Sequence, residues 1–299
     1  MKSGACFFLI VGLPVCVGLW GMPETVSGQI YVVNWGNGTI GEYTTAGAIV
    51  NSTLISGLNT PTGIAVSDGN IYVANGNSGT IGEYTTSGAT VNASLISGLN
   101  GPSGLAVSGG NIYVANLRSG TIGEYTTAGA TVNASLVSGL NTPTGIAVSG
   151  GNLYVENDGS GTIGEYTTSG TTVNASLISG LNNPVSLAVS GGNIYVANGN
   201  SYTIGEYTTA GATVNATLIS GLNNPVGVAV SGGNIYIANA FGGTIGEYTT
   251  SGATVNASLV SGLYYLQSLD VEAVPEPTTF GLFGLPLAVT VVRRLRKKA

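Results

Sequence analysis

Apolar and polar positions follow one another in short runs, and the runs recur. From Pro61 the order is an apolar stretch Gly63 to Val66, a polar Ser67-Asp68-Gly69-Asn70, then Ile71-Tyr72-Val73-Ala74-Asn75. A small loop leads to the alternating Thr80-Ile81-Gly82-Glu83-Tyr84, and Ala93 to Ile96 adds a weaker apolar run. Runs rich in β-branched and aromatic residues, bounded by Gly, Pro, Asn and Ser, predict strands. Ser67-Asp68-Gly69-Asn70 predicts a hairpin turn, because glycine supplies the positive φ such turns require. Asn92, just before the fourth run, is expected to serve as a turn residue. The unit then restarts. Pro61, Pro102, Pro143, Pro184 and Pro225 stand 41 residues apart, as do Glu42, Glu83, Glu124, Glu165, Glu206 and Glu247. Four antiparallel strands in such a period make one propeller blade, whereas a β-helix rung is much shorter and a helical repeat needs a 3.6 period absent here.

The ends of the repeat decide between an open array and a ring. The second-strand signal occurs six times, at Ile30, Ile71, Ile112, Leu153, Ile194 and Ile235. No first-strand signal precedes Ile30. It reappears at Leu269-Asp270-Val271, 205 residues after Ile64-Ala65-Val66. The segment Leu266 to Val271 is therefore expected to supply the missing inner strand, which would close the ring and remove exposed sheet edges. The expectation is an all-β, six-bladed propeller of four-stranded blades over residues 29–273.

Two flanking segments do not share the pattern. Lys2, an apolar run from Phe7 to Trp20 and the small residues Val26 and Gly28 predict a cleaved secretory signal over residues 1–28. Both cysteines, Cys6 and Cys16, lie within it, so the mature chain would have no thiol. After Val274 come Pro275-Glu276-Pro277, an apolar run from Phe280 to Val292, and a basic tail with Arg293, Arg294 and Arg296. That run predicts a thin transmembrane helix whose basic end stays cytoplasmic, leaving the body outside.

Composition narrows the partners. Charged residues are 7% of the chain and the formal net charge is -6. Six of the seven cations lie at the two ends, so the body is an acidic disc with Arg118 as its sole basic residue. Such a surface argues against nucleic acid. There is no histidine to act as a general base.

The motifs Pro-x-Gly-Ile-Ala-Val, Gly-Asn-Ile-Tyr-Val-Ala-Asn and Thr-Ile-Gly-Glu-Tyr resemble NHL-type and YVTN-type propeller repeats. That resemblance implies a propeller that binds proteins, carbohydrate or nucleic acid, with enzymes among a few relatives. The tripartite end resembles the PEP-CTERM sorting signal of Gram-negative bacteria over residues 274–299. It implies recognition by an exosortase, a membrane cysteine transpeptidase, through Pro275, Glu276, Pro277, Arg293, Arg294 and Arg296. The protein would be anchored transiently in the inner membrane, then reach the cell surface or an exopolysaccharide matrix.

Three sets of residues are candidates for chemistry. The six glutamates suit a hard cation such as calcium, but one carboxylate per blade spreads them apart, and solvated strand-end residues are the simpler expectation. The sequons, such as Asn92-Ala93-Ser94 and Asn133-Ala134-Ser135, recur at one repeat position, so duplication explains them. The loops joining second and third strands carry the side chains that differ between copies: Trp35, Arg118, Asp158, Tyr202 and Phe241. Propeller geometry places these loops on one face, beside the Asn-Pro connections between blades. Aromatics beside amides suit a glycan. The leading expectation is a non-enzymatic binding or scaffold module with no cofactor and no metal. A calcium-dependent, lactonase-like hydrolase is the rival, although inner strands reading Gly-Ile-Ala-Val offer it only Asp270.

Overall fold

The computed structural model describes residues 28–272. The signal segment up to Ser27, residue 273 and the sorting segment 274–299 lie outside them, and so does the expected transmembrane helix. Among the described residues, no helix is long and apolar enough to cross a membrane.

The described chain forms six four-stranded antiparallel sheets, one per repeat. In blade 2 the inner strand is Pro61–Ser67, followed outward by Asn70–Asn75, Thr80–Thr85 and Thr90–Ile96. The turn after Ser67 places Asp68 at φ 51° and Gly69 at φ 76°, the paired positive values that match a tight hairpin to strand twist. Inner strands pack side by side around a central axis, and the strand Leu266–Glu272 sits between those of blades 6 and 2. The ring is closed.

Closure follows the register expected from the five-period offset. Leu266–Glu272 pairs antiparallel with Gln29–Asn34, with Leu269 opposite Val32 and Asp270 opposite Tyr31. Blade 2 pairs Ile64 with Val73 and Ala65 with Tyr72 in the same way. Blade 1 is thus a composite of both ends of the described chain.

The second strand explains why the repeat tolerates so little charge. A period of two sends Ile71 and Val73 to one face of the blade, against Tyr31, Val33 and Ile40 of blade 1. Tyr72 and Ala74 face the other way, against Leu105, Ile112 and Val114 of blade 3. Both faces are buried, so the core consists of six such layers between blades. Each buried Ile or Val contributes about 1.5–3 kcal/mol.

Two sequence expectations require correction. Asn92 is not in a turn but within the outer strand Thr90–Ile96. Pairing slips there: Ile81 faces Ile96, whereas Glu83 faces Asn92, leaving residues 93–95 opposite Gly82. Asn92 Oδ1 accepts the Ser94 amide at 3.1 Å within this bulge. The glutamates are also not solvated. Glu83, Glu124, Glu165, Glu206 and Glu247 are buried, and only Glu42 is half-buried. In blade 3, Glu124 Oε1 accepts hydrogen bonds from Asn111 Nδ2 at 2.8 Å and the Tyr113 hydroxyl at 3.3 Å. The tyrosine sits directly opposite the glutamate across the ladder. A carboxylate without a basic partner is held here by neutral donors from the neighbouring strand.

Candidate functional site

The variable loops and the connections between blades do share one face, because backbone bonds tie them together. Trp35 N donates to Tyr265 O at 3.0 Å, Arg118 N to Asn100 O at 3.2 Å, and Phe241 N to Asn223 O at 3.3 Å. Two cavities open there. One, of about 560 Å³, is the central channel, with Trp35, Asn77 and Arg118 among its lining residues. Farther along the lining are inner-strand residues from all six blades, among them Ala65, Ala106, Ala147, Ala188, Ala229 and Asp270. The second, of about 530 Å³, lies at the seam between blades 6 and 1 and is lined by Trp35, Asn224, Phe241, Tyr264, Tyr265 and Gln267, among others.

The five rim residues singled out by variation are only partly brought together. Trp35 and Phe241 line the seam cavity, and Trp35 and Arg118 line the channel. Asp158 and Tyr202 line neither. Asp158 instead opens a short 3-10 turn, Asp158–Ser160, and its carboxyl is raised by burial. Tyr202 occupies the position held by Gly38, Gly79, Gly120, Gly161 and Gly243 in the other loops, at φ 57°.

Tyr264 and Tyr265 were not among the residues singled out from the sequence. They stand where Asn59 and Thr60 stand five periods earlier, so aligning the last connection with the others exposes them. Tyr265 packs edge-on against Trp35, with centroids 6.3 Å apart, and against Tyr264 at 4.4 Å. Gly36 leaves room for this, since a Cβ there would lie 2.7 Å from Tyr265 Cδ2. Trp35, Phe241, Tyr264 and Tyr265 nonetheless remain 45%, 74%, 69% and 54% exposed. This is an aromatic wall facing solvent.

Two carboxyl groups bear on the channel wall: Asp270, which the sequence already placed on the closing strand, and Glu156, which it did not single out. Asp270, the carboxylate lining the channel, replaces the alanine of every other inner strand. Its oxygens accept the Val66 and Val271 amides, each at 2.8 Å, while burial raises its carboxyl. Glu156 stands where four other second strands have Ala74, Ala115, Ala197 and Ala238 and the first has Val33. It is fully buried, accepts the Thr144 hydroxyl at 3.2 Å on Oε2, and leaves Oε1 without a partner. Burial pushes its carboxyl up to about 8. Gly145 makes room for it, because a Cβ there would lie 2.5 Å from Oε2. Among the described residues, no three acidic, Cys or His side chains gather closely enough to hold a metal ion.

The fold defines a six-bladed β-propeller of four-stranded blades. No family model matches the chain, and no curated protein matches it. Solved structures do. A structure of a nidogen/laminin complex is similar at TM-score 0.72 and 16% identity, covering 82% of this chain and 98% of the other. Streptogramin B lyase is similar at TM-score 0.55 and 20% identity, covering 73% and 70%. A catalytically inactive variant of virginiamycin B lyase from Staphylococcus aureus, solved with quinupristin, is similar at TM-score 0.61 and 16% identity, covering 77% and 80%. At such identities the likeness is one of fold, and function has to be argued from the site.

Proposed function

We propose that this chain is an exported, non-enzymatic binding or scaffold module that holds an exopolysaccharide or other surface glycan on its loop face. The observation that carries this reading is the exposed aromatic wall at the seam, beside the amides of Asn224 and Gln267. A concave, mostly apolar site with a few polar groups is the usual form of a small-ligand site. Aromatic rings offer flat apolar faces to the C–H faces of sugar rings, and amides offer donors and acceptors to hydroxyls. Support for a non-enzymatic role comes from the residues present. The similar lyase is inactive once one histidine is replaced by alanine, and this chain has no histidine.

The sorting part of the proposal rests on the sequence of the two ends. The signal segment 1–28 directs export, and an exosortase cuts near Pro275-Glu276-Pro277, releasing the propeller from the inner membrane to the surface or matrix. Mass spectrometry of the mature C-terminus tests this, and an intact basic tail on the exported protein overturns it. Glycan arrays probed with the full-length protein test the binding. Trp35→Ala and Phe241→Ala are expected to lose most of the signal, and equal signal from parent and both variants overturns the site.

A further inference from the structure

The seam cavity and the channel adjoin. Trp35, Val226 and Gln267 line both. A ligand seated against the aromatic wall therefore borders, across the Trp35 indole and the Gln267 amide, on the channel whose lining includes Arg118. The seam cavity itself carries no charge, since its lining is aromatic, aliphatic, glycine and amide.

The rings of that wall are individual to the seam. Tyr265 sits at φ 49°, where the other connections place Thr60, Thr142, Asn183, Asn224 or Gly101. Positive φ here is shared by every connection, Thr60 and Thr142 included, so what is individual to the seam is the ring carried on it. Burial does not account for the two rings, because Tyr264 and Tyr265 stay more than half exposed. Neither residue comes from copying the repeat.

Resting on the glycan reading above, we infer that the seam cavity is the primary subsite for one ring of an uncharged saccharide. The chain then continues across Trp35 and Gln267 to the channel mouth. Neutral sugar is favoured because a sulfate or uronate seated in the seam would be desolvated with no cation lining the cavity. Arg118 lines the channel and not the seam, so only a longer chain meets it.

Titration calorimetry of the full-length protein tests this, using neutral maltose-series oligosaccharides and uronic-acid oligosaccharides of one, two and four rings. Neutral chains are expected to bind, with affinity rising at least tenfold from one ring to four. Tyr265→Asn restores a residue that other connections use at this position. It is expected to weaken binding tenfold or more while leaving the melting temperature equal or higher. Arg118→Ala should weaken the four-ring ligand and leave the one-ring ligand unchanged. Binding by Tyr265→Asn at parental affinity overturns the seam subsite and leaves the glycan reading standing. Binding of uronic-acid chains alone overturns the neutral class. No binding of any saccharide here or on the arrays removes the glycan reading itself.

Discussion

Blade 1 and blades 3 to 6 are built from the same sequence unit, yet their carboxylates live differently. In blades 3 to 6 the third-strand glutamate takes an asparagine amide at 2.7–2.8 Å and a tyrosine hydroxyl at 3.2–3.3 Å on the same oxygen. In blade 1, Gln29 replaces the asparagine, and its Oε1 is buried without a partner. The Tyr31 hydroxyl turns to Glu272 of the closing strand at 3.4 Å. Glu42 is left half-buried, its carboxyl raised first by burial and then by the charge of Glu272. A copied blade brings its hydrogen-bond partners along with its acids. The seam, whose inner strand comes from the other end of the described chain, does not. The same seam holds the aromatic wall, so the departure from the shared Asn–Tyr–Glu arrangement and the most individual surface coincide.

Removing the closing strand should have the largest effect. Deletion of Leu266–Glu272 strips the ladder from Gln29–Asn34 and uncovers Ile30, Val32 and Tyr43 along with the facing side of blade 6. Lost burial of Leu266 and Leu269 alone costs about 3–6 kcal/mol. Calorimetry should show no single cooperative melting transition for the deleted protein. A transition like that of the parent would mean that blade 1 stands without its borrowed strand.

Glu156 provides the second test, because it breaks the copied pattern inside a continuous blade. Its carboxyl is raised from 4.5 to about 8, chiefly by desolvation. The folded protein therefore holds a proton that the unfolded chain releases, and stability is full below about 4.5 and falls as pH rises toward 8. Across that window the loss amounts to about 3–5 kcal/mol. Asp158 is the neighbouring charge that adds to the shift, while Thr144 and the Ser186 amide oppose it. Glu156→Ala restores the residue of Ala74 and Ala115, and Thr144 can then donate to carbonyl oxygens, as Thr62 does to Ala74 and Pro102. The variant should melt higher than the parent at pH 8 and lose the difference near pH 4.5. Parallel pH profiles of melting temperature would remove Glu156 from the account.

A matched pair at the glutamate positions sharpens the comparison directly. Glu124→Gln swaps an acceptor-only carboxylate for an amide facing the Asn111 and Tyr113 donors, costing about 1–2 kcal/mol. Glu42→Gln in the seam removes repulsion from Glu272, so its effect should lie within about 0.5 kcal/mol of zero. Chemical denaturation of the two variants measures the difference. Equal costs would mean the seam is as well satisfied as a copied blade.

The fold was legible because its determinants are periodic. Strand pattern, turn residues and a 41-residue period are all local or repeated, and the closing strand was found because its first-strand signal was missing from one end and present at the other. The site was legible only where it departed from the repeat in a loop. Trp35 and Phe241 were found in that way, but Tyr264 and Tyr265 lie in a connection whose register depends on the closing strand, and their meeting with Trp35 is a contact across the seam. The glutamates were misjudged for a related reason. Lone acids without basic partners suggest solvent exposure, while their actual partners are neutral Asn and Tyr side chains on the adjacent strand. Asn92 looked like a turn residue because the bulge that employs it depends on pairing with the third strand rather than on local propensity.

The smallest expected effect is one on which the two regions should agree. Every outer strand carries the same in-strand bridge: Asn51 Oδ1 accepts the Thr53 amide at 3.0 Å in blade 1, and Asn133 Oδ1 accepts the Ser135 amide at 3.1 Å in blade 3. The outer strands of these blades pair with third strands through the same slipped register. The bridge thus owes nothing to the inner strand, copied or borrowed. It engages an amide on a strand whose far edge faces solvent, and irregular, bulged edges resist pairing with other sheets. Asn51→Ala and Asn133→Ala should each cost about 0.5 kcal/mol, the worth of an exposed hydrogen bond. Each should also raise self-association at high concentration to a similar degree. Denaturation and light scattering on the two variants measure both. If Asn51→Ala costs over about 1 kcal/mol more than Asn133→Ala, the disturbance at the seam reaches the rim, and the outer three strands of blade 1 are not equivalent to those of a copied blade.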